Sequence, residues 1–224
     1  MNINVVRLGL TDYKQALEIQ EKLQLLRQQE KIEDVLILLE HPPVLTLGRS
    51  GNYSDILLLP QDLKARGIEV FEVSRGGNVT YHGPGQIVGY IIMDLNKQGR
   101  DINQFVWKIS EVFIRLLKEK YDIDAARERG KYTGVWIGNE KITAIGISVK
   151  RWVTMHGFAF NVNTQMQHFK LINPCGLKDR GVTSLEKITG AAQDFNKLNE
   201  LVLEYFCKVF NLKPSITDIS KIIS

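Results

Sequence analysis

The hydrophobic positions fall into three long helical stripes and a larger set of short, strand-like runs. Tyr13, Ala16, Leu17, Ile19, Leu23, Leu25 and Leu26 recur at helical spacing through about Gln29, and Thr11 or Asp12 stands where an N-cap belongs. A second stripe follows Asp101-Ile102-Asn103 and comprises Phe105, Val106, Ile109, Val112, Phe113, Leu116 and Leu117. Its spacing is that of a core-facing helix. The third stripe covers 196–210, with Cys207 beside Leu203 and Phe206 as a small buried hydrophobe. Shorter helices are expected at 60–67, closed by Gly67, and after the capping pair Thr183-Ser184.

Strands are expected at 3–8, 35–40, 68–73, 87–95 and 155–162. The clearest hairpin joins 133–137 to 141–149 through Gly138-Asn139-Glu140. Strict alternation along its second strand puts Lys141 on one face with Thr143, Ile145 and Ile147, a largely apolar face for a lysine. Pro42 and Pro43 exclude helix and disfavour a central strand at that point. Residues 125–132 read as a solvated loop, and 213–224 as one more short element or a frayed end. Strands, hairpins and three amphipathic helices in one chain predict an α/β (α+β) fold with helices packed around a sheet.

The stretch that breaks this regularity is Ser74-Arg75-Gly76-Gly77-Asn78-Val79-Thr80-Tyr81-His82-Gly83-Pro84-Gly85-Gln86. It reads as strand, tight glycine loop, strand. Glycines allow positive φ and close approach to main-chain N–H groups, which can form a nest for an anion or a carbonyl. Arg75 and His82 bracket the loop as donors. The plain alternative is a loop that only turns the chain, but such a loop does not need Arg, Thr, Tyr and His packed into it. His41, next to Pro42, can line a site or be a satisfied strand-end histidine.

The 224 residues carry 44% hydrophobic and 24% charged positions, ordinary for a globular chain that needs neither disulfides nor metal for its core. The net charge of +4 is too weak to argue for nucleic acid, though it suits an acidic protein partner. Two cysteines, Cys175 and Cys207, make no disulfide framework. The opening residues lack the apolar core of a signal peptide and no run is long enough to span a bilayer, so a cytoplasmic protein is expected. The four histidines, His41, His82, His156 and His168, show no short ligand spacing, and no metal site is expected.

Two residues carry candidate chemistry. Cys175 sits between Pro174 and Gly176, where a loop can present a thiol; a nearby cation would favour its thiolate. An inert structural cysteine is the alternative. Lys141 opens a strand after a turn, and the alternative there is a lysine pointing into solvent. Spacing alone does not bring the two together.

The string RGGNVTYHGPGQIVGY resembles the signature of the lipoyl(octanoyl) transferases. EHPPVLTLGRSG resembles the same family, as do KITAIGISVKRWVTMHGFAFNVN and INPCG further on. The likeness runs from about Leu36 to Leu185. It implies one catalytic domain over residues 1–224, with the mixed central sheet of the biotin/lipoate ligase fold. It implies a Cys/Lys dyad of Cys175 and Lys141, with Cys175 as the acyl-thioester residue. It implies an acyl-binding loop of Arg75, Gly76, Gly77, Asn78, Val79, Thr80, Tyr81 and His82. Two further lining segments follow, Ala144-Ile145-Gly146 and Gly157-Phe158-Ala159. The implied donor is octanoyl-acyl carrier protein. The implied acceptors are lipoyl domains of 2-oxoacid dehydrogenases and the glycine cleavage H protein. The enzyme would be a monomer needing no cofactor, no membrane and no nucleic acid. The rival readings are an ATP-dependent lipoate-protein ligase, which needs no nucleophilic cysteine, and a non-catalytic acyl- or carrier-binding protein.

Overall fold

The computed structural model describes residues 1–173 and 180–223. Cys175, the expected nucleophile, lies outside the described residues. Chain order begins with β1 (Asn2–Leu10), α1 (Tyr13–Gln28), β2 (Val35–Glu40), β3 (Val44–Leu47), α2 (Pro60–Ala65) and β4 (Glu69–Glu72). It continues with β5 (Val79–His82), β6 (Gln86–Ile92), α3 (Ile102–Tyr121), β7 (Ala126–Glu128), β8 (Gly134–Ile137) and β9 (Glu140–Lys150). Then come β10 (Val153–Asn161), β11 (Gly181–Val182), α4 (Leu185–Thr189), α5 (Phe195–Phe210), β12 (Lys213–Ile216) and α6 (Ser220–Ile223).

Among the described residues the strands form two sheets. The large one runs β12-β1-β2-β6-β10-β9-β8-β7, with β11 paired in parallel to β9. It is mixed: β1 is parallel to both neighbours, while β2 to β6 to β10 to β9 is antiparallel throughout. The small sheet runs β4-β3-β5. The α/β architecture with a mixed central sheet is therefore as expected.

Each face of the large sheet is covered because the helical stripes match it. α3 and α5 pack on one face, where the Phe113 ring meets Phe158 at 4.8 Å and Phe160 at 5.1 Å. Asp101 caps α3, its side chain accepting from the Gln104 N–H, and Asp94 and Asp194 cap their helices likewise. α1 covers the other face through Tyr13, Ala16 and Leu23. Every residue of β6 and of β10 is buried, and the Phe158 ring lies over Gly89, where a Cβ would meet it at 2.1 Å.

Four local readings change. The apolar stripe of α1 is only half used: Leu25 is 53% exposed, while Gln20, Gln24 and Arg27 are buried. Their partners explain this. Arg27 Nε donates to Asp34 Oδ1 at 2.8 Å, Gln24 donates to the Val153 carbonyl at 3.0 Å, and Gln20 Oε1 accepts the His156 N–H at 3.0 Å. The glycine stretch contains a strand, β5, that pairs with β3, so β4 and β6 belong to different sheets. Residues 125–132 are not a free loop, since β7 pairs with β8 and Arg127 stacks on Trp107 at 4.0 Å. Finally, strict alternation fails at Lys141. The β8–β9 register slips there, and Ile142 joins the same core as Ile145 and Ile147.

Candidate active site

A cavity of about 360 Å³ lies where the glycine loop meets β9, β10 and the start of α3. Its wall takes in Arg75, Gly76, Gly77, Asn78, Val79, Thr80 and His82 from the loop and β5. It also takes in Lys141, Ala144, Ile145, Gly146, Gly157, Phe158 and Ala159. Residues far apart in sequence thus share one wall. Tyr81 is elsewhere. It points into the core of the small sheet, its ring 4.9 Å from His168 and 5.4 Å from Phe169.

The loop is held by its main chain and by Arg75. Gly48, Arg49 and Ser50 donate N–H groups to the carbonyls of Asn78, Arg75 and Gly77, and the Gly76 N–H reaches the Ile147 carbonyl at 2.9 Å. That last bond fixes the loop along β9 beyond the end of its pairing with β8. Gly146 has no room for a side chain, because a Cβ would lie 2.9 Å from the Gly76 carbonyl. Gly77 takes φ of +85°, a region in which other residues are strained. The buried Arg75 guanidinium donates to the Thr46 carbonyl at 2.7 Å, to Thr46 Oγ1 at 2.8 Å and to the Gly76 carbonyl at 3.0 Å. Arg75 is thus a clamp on the loop as well as a wall residue.

Behind this wall, residues scattered in sequence converge. His41 Nδ1 donates to the Thr11 carbonyl at 2.7 Å, so its Nε2 accepts from the Tyr90 hydroxyl, also at 2.7 Å. His82 Nδ1 donates to Gln86 Oε1 at 2.8 Å. Gln86 Nε2 in turn donates to Asn161 Oδ1 at 2.9 Å, and Asn161 Nδ2 to the Thr183 carbonyl at 3.0 Å. The Thr183 N–H then reaches the Lys141 carbonyl, so this chain links His82 to the lysine strand. His156 sits in mid-strand with φ of +62°, its Nε2 3.4 Å from Ser74 Oγ. Burial pushes His41 down to about 4 and His82 and His156 down to about 3, and the Arg75 charge adds to the last two. All three imidazoles are therefore neutral at pH 7. Burial also pushes Tyr13 up to about 12. Sequence reading weighed His41 singly and missed this convergence, which no local pattern signals.

At the other end, Lys141 Nζ donates to the Thr133 carbonyl at 3.1 Å and lies 5.0 Å from the centroid of the Trp136 ring. Its stem crosses Gly134, where a Cβ would come within 3.3 Å of Lys141 Cδ and Cε. Lys141 is half-buried, not solvent-directed. The strand after the Cys175 segment is tied to it, since Gly181 and Val182 pair with Glu140 and Lys141. No group of three or more His, Cys, Asp or Glu that could hold a metal occurs among the described residues. No helix among them is long and apolar enough to cross a membrane.

Residues 12–207 match the model of the lipoyl protein ligase A/B catalytic domain. The chain belongs to that family. Its full-length relatives include the octanoyltransferase of Desulforamulus reducens, 60% identical over 99% of this chain and 97% of its own. That of Caldicellulosiruptor saccharolyticus is 57% identical over 95% of this chain and 91% of its own. In fold the chain is similar to lipoate-protein ligase A bound with ATP, at a TM-score of 0.79 and 14% identity, covering 100% of this chain and 93% of the other. The resemblance read from the glycine loop and the lysine strand is thus borne out.

Proposed function

We propose that this protein is an octanoyltransferase of lipoate biosynthesis. It moves an octanoyl group from octanoyl-acyl carrier protein, through a thioester on Cys175, to a lysine of a lipoyl domain. Residues 1–224 act as one catalytic domain, as a monomer, without ATP. Octanoyl transfer itself is the activity named for relatives that match this chain almost end to end. The observation that supports the site is that Lys141 lines the same cavity as Ile172 and Arg180. Ile172 precedes Cys175 by three residues and Arg180 follows it by five.

The chemistry needs two acyl transfers. A free thiol near pKa 8.5 is only a few per cent thiolate at pH 7. Lys141 as the amine takes the Cys175 proton, and the thiolate attacks the thioester carbonyl. The C–S bond to the carrier breaks, and its thiolate takes the proton back from the Lys141 ammonium. The acceptor amine then attacks the acyl-enzyme and forms the amide bond. Lys141 receives the proton of that amine and returns it to the departing Cys175 thiolate. Thioester exchange is nearly isoenergetic and amide formation runs downhill, so no activation by nucleotide is required. The apolar side chains of Ile145 and Phe158 are suited to the alkyl chain, and the loop of Arg75, Gly76, Gly77, Asn78, Val79, Thr80 and His82 lines the same cavity beside them.

The test is intact mass after mixing the protein with octanoyl-acyl carrier protein in the absence of ATP. One octanoyl adduct is expected, absent in Cys175→Ala and discharged by apo lipoyl domain. Acylation of the lipoyl domain that appears only with ATP and free octanoic acid would replace this reading by a ligase.

A further inference from the structure

Trp136 carries two cations. Lys141 Nζ lies 5.0 Å from its ring centroid and Arg180 Cζ 4.8 Å. Sharing one ring keeps the two charged heads no more than about 10 Å apart. The indole is a fixed platform, 2% exposed, its Nε1–H donating to the Tyr132 carbonyl at 2.8 Å. Arg180 is held from two sides: it stacks on Tyr132 at 4.3 Å, and its Nη1 lies 2.8 Å from Glu128 Oε1. Both members of that pair line the cavity.

We propose that Arg180 and Glu128 are positioning residues that set the proton affinity of the Lys141–Cys175 pair with opposite signs. The inference rests on the reading of Lys141 and Cys175 as the working dyad. A second cation beside Lys141 disfavours its ammonium and favours a neighbouring thiolate, so it lowers proton affinity at both. The Glu128 carboxylate partly cancels that field. Among the described residues, most other charged or titratable groups around Lys141 have their own fixtures. Arg127 is paired with Glu111 and stacked on Trp107, Glu140 is held by Lys187, and Tyr132 lies under Arg180. Arg129 lines the cavity as well, and its charge acts in the same direction as that of Arg180. Among the described residues only Arg180 shares the indole with Lys141.

The experiment is the pH dependence of Cys175 alkylation by iodoacetamide, read by peptide mass spectrometry. It is run beside kcat/KM for transfer from octanoyl-acyl carrier protein to apo lipoyl domain. Cys207 serves as internal reference, buried and with its thiol pushed up by burial. Arg180→Gln should move both profiles alkaline by roughly half a unit to one unit, and Glu128→Gln should move them acid by less. Arg180→Lys should restore most of the shift. A structural role alone would lower rates without opposite displacements. Unmoved profiles, or displacement of both variants in the same direction, overturn the proposal while leaving the dyad standing if Lys141→Ala and Cys175→Ala are inactive. Full activity of Lys141→Ala overturns both.

Discussion

At the glycine-loop wall the guanidinium of Arg75 is locked onto Thr46 and its own loop, among imidazoles that burial keeps neutral. At the lysine wall Arg180 and Lys141 rest on aromatic faces, partly open to solvent, with the Glu128 carboxylate beside Arg180. The first arrangement spends its charge on shape: a buried cation with several acceptors stays put and fixes the loop along β9. The second leaves charge adjustable, because a stacked cation at partial exposure feels modest fields that neighbours can tip. A site that must hold an acyl chain and also move protons needs one wall of each kind.

Each end predicts its own failure. Lys141→Ala should cut octanoyl transfer by about 10²- to 10⁴-fold with an unchanged thermal melt, since it removes proton transfer and not the core. An equal loss of Tm would break the comparison by making the lysine end structural. Arg75→Met should act on stability first. It strands the Thr46 and Gly76 acceptors in a buried place and costs about 3 kcal/mol of stability in urea unfolding.

The neutral histidines give a pH signature. Their folded pKa values of about 4, 3 and 3 lie below the unfolded value near 6.5. Above pH 6.5 neither state binds the proton. Below it the unfolded chain takes protons that the folded chain refuses, so stability falls as pH drops from about 6.5 toward 4. The loss is of the order of 2 kcal/mol for each histidine by pH 5. Tm against pH should be flat above 7 and steep below 6, and His41→Gln should shallow the slope. The smallest effect belongs to Tyr81→Phe, which should leave kcat/KM within about twofold because the ring faces the small-sheet core, away from the cavity.

What was legible followed from local period. The stripe of α3, the cap at Asp101 and the β8–β9 hairpin needed only neighbours in sequence to declare themselves. β5 was hidden because glycines on both sides resembled a continuous loop, and only its partner β3 makes it a strand. Gln20, Gln24 and Arg27 looked like the wet side of α1, since their partners lie on β10 and at Asp34. The meeting of His41, His82 and His156 around Tyr13 and Tyr90 is likewise a property of the fold. The candidate wall residues were named through family likeness, and local pattern alone does not place Lys141 beside the glycine loop.

The glycine at 89 under the ring of Phe158, in two strands buried along their whole length, fixes how this molecule breathes. Amide hydrogens on β6 and β10 are expected to exchange with solvent deuterium only near global unfolding. The exposed β12 and the short β7, at the sheet edges, are expected to exchange well before them. The floor beneath the cavity is then expected to be among the last parts of the protein to trade its hydrogens.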